Sequence, residues 1–175
     1  LSFVYYDCTM LCSQVLNGIT SALSALDESA GSDYEVVTVS FDPRDTPMAA
    51  TAKKKAYIDR YGRHGAEQGF HFLTGSEASI RALTDAAGFK YAWDEETQQF
   101  AHASGFVVAT PDGTLSRYFF GIEYAPRDVK FALIGNDYQG KDKPEAVTQI
   151  FFVAFGTEAK KLANCRKGDQ LFLEA

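Results

Sequence analysis

The chain alternates short apolar runs with stretches of helical period. Residues 2–6, rich in aromatic and β-branched side chains, read as a short buried strand. From Ser13 the period changes: Val15, Leu16, Ile19, Leu23 and Leu26 recur at spacings of three and four, an amphipathic helix ending near Gly31. The near-continuous apolar run YEVVTVSF (34–41) predicts a strand covered on both faces, as in a parallel sheet. Thr46 as N-cap and Pro47 in the first turn then open a helix to Tyr61, before Gly62. GFHFLT (69–74) is a third strand, and Ser76 or Gly75 opens a helix through Ala87, with Ile80 and Leu83 inward and Gly88 as its stop. The segment between this helix and residue 106 reads as irregular. Residues 106–121 form strand, tight turn at Asp112-Gly113, and strand, and Pro126 starts a final helix over 126–138.

Strands separated by helices pair in parallel through right-handed crossovers, and the last hairpin adds antiparallel edges. The expected fold is therefore α/β and thioredoxin-like: a central mixed sheet with helices on both faces and a terminal antiparallel hairpin. The patterned domain spans residues 1–140. Residues 141–175 form a C-terminal extension of unassigned structure, in which AVTQIFFVAFG (146–156) has the composition of one added strand. The opening LSFVYY is already inside an apolar strand, so further strands and any export signal or membrane anchor are expected upstream of it.

A length of 175 residues suits one domain with a substantial core, and 46% hydrophobic with 23% charged residues is ordinary for a water-soluble fold. The net charge of −6 argues against nucleic acid as a partner, since that requires clustered Lys and Arg. The basic run Lys53-Lys54-Lys55 reads as a solvated helix face. Three cysteines are too few for a disulfide scaffold.

Two of them, Cys8 and Cys12, stand four positions apart where strand one gives way to the first helix. Orphan N–H groups and the positive end of the helix dipole favour an anion there, so a lowered thiol pKa is expected. Positions i and i+4 share a helix face, close enough for a disulfide or a shared ion. A redox dithiol needs only these two, whereas a metal site needs a third ligand. Of the three histidines, His71 lies between phenylalanines in a strand and His64 in a polar loop, both read as structural or solvated. His102, in QQFAHASGF, is expected on the loop that the sheet presents near the first helix's N-terminus. Asp42-Pro43 ends strand two and reads equally as a turn that caps the next helix or as part of the site. Asp7 puts a negative charge beside Cys8, where it would raise thiol pKa or lend a weak oxygen ligand.

Taken in order, FVYYDCTMLCSQVLNGI, VVTVSFDPRDTP, GFHFLTG, FAHASGFVVATPDGTLSRYFFGI and APRDVKFALI resemble the Sco/SenC family of thioredoxin-fold copper proteins, over residues 2 to 138. The resemblance implies copper held by Cys8, Cys12 and His102, with Asp42 orienting the loop or tuning the site from outside the ligand set. It also implies a role in assembling the binuclear copper site of cytochrome c oxidase, as a copper donor, as a reductant of that site's cysteines, or both. The implied partners are the oxidase's copper-site subunit or another copper-accepting protein, and a thiol reductant. The implied location is the periplasmic side of the bacterial inner membrane, reached through an N-terminal anchor. Soft thiolates suit Cu(I), and an added imidazole makes the set acceptable to Cu(II). The chain departs from the family where Thr9 and Ser13 replace prolines beside the cysteines and where Ala103 follows His102; Cys165 and residues 139–175 match no family pattern.

Three functions follow from these residues. The first is a copper metallochaperone using Cys8, Cys12 and His102. The second is a thiol–disulfide oxidoreductase that needs no metal and no histidine. The third is a thioredoxin-fold binding module whose thiols are vestigial.

Overall fold

The computed structural model describes residues 1–8 and 11–134. The expected strand at 146–156, the last turn of the final helix and Cys165 lie outside them. The elements in chain order are β1 (Ser2–Val4), α1 (Leu11–Ser24), β2 (Val36–Ser40), α2 (Pro47–Tyr61), α3 (Ala66–Gly69), β3 (Phe70–Leu73), α4 (Glu77–Ala86), β4 (Tyr91–Asp94), β5 (Gln99–His102), β6 (Gly105–Ala109), β7 (Leu115–Phe120) and α5 (Pro126–Ile134). Five strands form one mixed sheet in the order β3-β2-β1-β6-β7. β1, β2 and β3 pair in parallel, while β6 joins β1 and β7 joins β6 antiparallel. This is the thioredoxin-like arrangement expected from the chain's pattern.

Local chemistry places both ends of α2 and the start of α4 where the sequence puts them, whereas α1 ends at Ser24, short of the expected Gly31. Thr46 caps α2 by accepting from the Ala49 N–H, Pro47 supplies the first turn, and Gly62 closes it at φ 71°. Ser76 likewise accepts from the Ser79 N–H at the start of α4.

Side-chain alternation splits the apolar residues into two layers. Val4, Val15, Leu16, Leu23, Tyr57, Tyr61, Phe70 and Val129 join α1, α2 and α5 to one face of the sheet. Phe3, Val37, Val39, Phe41 and Ile80 join α4 to the other, where Tyr91 and Phe100 of the β4–β5 hairpin also pack. Helices therefore cover both faces. Gly18 lets α1 press against the loop after β7: a Cβ there would lie 2.0 Å from the Ile122 carbonyl oxygen.

The segment read as irregular carries an antiparallel hairpin, β4–β5, as a separate two-stranded sheet. Its register sets Tyr91 against His102 and Trp93 against Phe100. The alternation in YAWD and QFAH was present in the sequence, but the turn between them uses Gln98 at φ 55° rather than a glycine. That removes the usual hairpin signal.

Candidate metal centre

The two thiols flank the passage from β1 into α1. The Cys8 N–H donates to the Tyr5 carbonyl at 3.2 Å, closing the turn after β1, and Cys12 is the second residue of α1. Both are reduced thiols, and both are buried, at 6% and 2% exposure. Cys8 lies close enough to Cys12 and to Tyr5 to raise the pKa of each.

Burial overturns the expected depression of thiol pKa. Removal from water pushes the Cys12 thiol up to about 12, the neighbouring Cys8 adds to the rise, and the Tyr5 backbone and Lys53 oppose it. A partial charge at a helix end is outweighed once the sulfur is sealed under the sheet. Both sulfurs thus belong to the apolar core, and the metal-free Cys12 is held as a neutral thiol.

His102 is the last residue of β5, a correction to the loop position read from the sequence. Its ring lies against Phe41, Phe89 and Tyr5, with centroids 5.1, 6.0 and 6.2 Å away. Its Nε2 stands 3.6 Å from Cys12 Sγ, and its Nδ1 stands 2.9 Å from the Ala103 carbonyl oxygen. A carbonyl only accepts, so Nδ1 carries a proton, and in the tautomer with that single proton the Nε2 lone pair faces sulfur. Backbone anchoring of the far nitrogen is the arrangement that orients histidine ligands in metal sites.

The other candidates lie apart from this contact. His64 is exposed in the turn before α3, and His71 bonds Glu35 at 2.8 Å. Asp7 is exposed on the turn between β1 and α1. Asp42 is 6% exposed at the end of β2, and its carboxylate accepts from Arg44 through Nε at 2.9 and 3.0 Å, Nη2 at 2.7 Å and the Arg44 N–H at 2.9 Å. Burial would raise its pKa, but the bonds and charge of Arg44 outweigh that and hold it low. The cap of α2 is Thr46, so the capping role considered for Asp42 falls to its neighbour.

Two residues at the site are missing from the sequence reading. Tyr5 touches Cys8 and His102, and Arg44 lies over the rings of Trp93 at 4.8 Å and Phe100 at 5.6 Å. Tyr5 was legible only as a strand aromatic, and Arg44 as a polar turn residue.

Among the described residues, no three His, Cys, Asp or Glu side chains close into a metal-sized cluster. Cys12 is instead the shared member of two contacts, one to Cys8 and one to His102. Metal bonds of about 2.3 Å to sulfur and about 2.0 Å to nitrogen, opened by about 110–120°, set the two donors about 3.5–3.7 Å apart. The observed 3.6 Å lies in that range, so Cys12 and His102 fit one ion between them, with Cys8 the adjoining soft donor.

A family model described as SCO1/SenC matches residues 1–133. No curated protein matches. Among solved structures, a protein of Aquifex aeolicus assigned to electron transfer is 23% identical, with 80% of this chain and 81% of that one covered and a TM-score of 0.65. Arabidopsis thaliana ScoI with copper bound is 20% identical over 73% of this chain and 74% of its own, with a TM-score of 0.58. A SCO1/SenC family lipoprotein of Bacillus anthracis is 21% identical over 74% and 77%, with a TM-score of 0.57. These likenesses share the fold, and the family match covers all three strand–helix units, both motif cysteines and His102: the chain belongs to the SCO1/SenC family.

Proposed function

We propose that the protein is a copper-binding metallochaperone. It holds Cu(I) or Cu(II) through Cys8, Cys12 and His102 and passes it to a copper-accepting protein, the binuclear copper-site subunit of cytochrome c oxidase in the first instance. The observation that carries this reading is the 3.6 Å approach of His102 Nε2 to Cys12 Sγ across ninety positions of sequence. Membership of the SCO1/SenC family and the copper bound to Arabidopsis ScoI support it.

Copper, when bound, supplies a soft centre with two oxidation states one electron apart. The chain does the rest. Each thiol that ligates gives up its proton, and burial returns that proton to Cys12 when the ion leaves. The Ala103 carbonyl holds His102 Nδ1–H, which keeps Nε2 free to bind. Phe41, Phe89 and Tyr5 screen the ring from water. Three ligands leave a coordination position through which an acceptor's own ligands can enter.

Titration of the reduced protein with Cu(II), followed optically and by electron paramagnetic resonance, tests the reading. A one-to-one complex with a thiolate-to-Cu(II) charge-transfer band is expected, and His102→Ala should weaken Cu(II) far more than Cu(I). Absence of the band, with His102→Ala without effect, overturns it.

A second reading rests on the neighbouring reduced thiols. In it one cysteine attacks a partner disulfide as thiolate, the other resolves the mixed disulfide, and the pair is oxidised as the partner is reduced by two electrons. Reduction of an oxidised peptide by metal-free protein, unaffected by His102→Ala, separates it from the first.

We assign the protein to the outer face of an energy-conserving membrane, which in a bacterium is the periplasmic side. The lipoprotein relative of Bacillus anthracis supports this. Among the described residues no helix is long and apolar enough to cross a membrane.

A further inference from the structure

Among the described residues, the β4–β5 hairpin that carries His102 makes no strand pairing with the five-stranded sheet, so between its anchored ends side-chain packing fixes its position. On its inner side Phe100 packs on Phe41 and Tyr5, with centroids 5.3 and 5.4 Å away, and Tyr91 packs on Phe41 at 4.8 Å. Further along the same face lies a cation. The Arg44 guanidinium lies 4.8 Å from the Trp93 ring and 5.6 Å from the Phe100 ring, and these two rings are cross-strand partners in edge contact at 5.0 Å. The other edge of the same guanidinium grips both carboxylate oxygens of Asp42, which is buried at the end of β2.

We propose that Arg44 is a positioning residue for His102, a strut between the end of β2 and the hairpin. Phe100 and His102 are two residues apart on β5 and so lie on one face of it, which carries a displacement of one ring to the other. Arg44 suits the task because a planar, delocalised cation can offer its edge to a carboxylate and its face to an aromatic ring at once; a lysine ammonium has no such plane. The assignment also gives Asp42 its route to the site. All the side-chain bonds described for its carboxylate go to Arg44, which ties it to the hairpin that carries His102.

What Arg44 positions His102 for rests on the copper reading, so the test has a metal-free arm and a copper arm. In the metal-free protein, long-range proton–nitrogen spectra report the tautomer of each histidine. Wild type should show His102 fixed with the proton on Nδ1, and Arg44→Ala should move its signals toward an averaged tautomer while those of His64 and His71 stay. Arg44→Lys, which keeps the charge beside Asp42 without the plane, should behave like Arg44→Ala, and Trp93→Leu should reproduce the effect in part. In the copper arm, Arg44→Ala should lower Cu(II) affinity about tenfold while Cu(I) affinity stays within about threefold. Unchanged His102 signals in folded Arg44→Ala overturn the strut, as does full retention by Arg44→Lys, which would reduce the residue to a charge partner. If the metal-free arm succeeds while His102→Ala leaves copper binding untouched, the strut stands and the copper reading falls.

Discussion

Cys12 is the residue on which the two contacts of the site meet, one to Cys8 and one to His102. Its burial sets a measurable proton balance. With the free thiol pushed up to about 12, ligation at neutral pH must expel its proton, so copper uptake releases at least about one proton per ion. Calorimetry in buffers of different ionisation enthalpy checks this, and affinity should rise with pH until the thiol titrates. Cys12→Ser should abolish the charge-transfer band, because a hydroxyl is neither soft nor deprotonated here. Gly18 offers a purely structural test. Alanine normally favours a helix, yet the 2.0 Å approach to the Ile122 carbonyl oxygen makes Gly18→Ala destabilising, by about 1–3 kcal/mol in urea denaturation.

At the scale of elements, α2 and the β4–β5 hairpin show opposite dependence on local sequence. The start of α2 is written in Thr46 and Pro47, and Thr46→Ala should cost about 1 kcal/mol in chemical denaturation through loss of the cap. The hairpin is held by long-range aromatic packing around Phe41, which is 0% exposed and touches Tyr5, Phe89, Tyr91, Phe100 and His102. Phe41→Ala should therefore destabilise the fold by about 3–5 kcal/mol and release the hairpin as well. The Asp42–Arg44 pair predicts a pH signature. A carboxyl held below its unfolded pKa adds stability above that value and loses it as pH falls through the folded pKa. Arg44→Ala should accordingly be less stable than wild type at neutral pH, with the gap closing on acidification below about pH 4, as thermal unfolding across pH would report.

Over the whole molecule, the site sits where three parts of the chain converge: the turn after β1, the end of β2, and a hairpin outside the main sheet. A ligand bound there stabilises all three together, so copper loading should raise the melting temperature, and chelation should reverse it. The mixed sheet, the helix caps and the apolar layers were legible because each depends on period, capping chemistry or turn residues within a few positions of sequence. The dithiol was legible for the same reason. The hairpin was not, since Gln98 stands where a glycine would have marked its turn. Nor was the burial of Cys8 and Cys12, because local sequence reports the helix dipole but not the aromatic side chains that later exclude water. Arg44 looked like one more charged turn residue until Trp93 and Phe100 were folded against it. The amino-acid order by itself determined which donors exist, where the helices begin and which family the motifs resemble, because these are short-range properties. Only the tertiary structure decided that His102 faces Cys12, that both thiols are buried, and that Arg44 lies against Trp93 and Phe100, because each depends on contacts between residues that packing, not sequence proximity, brings together.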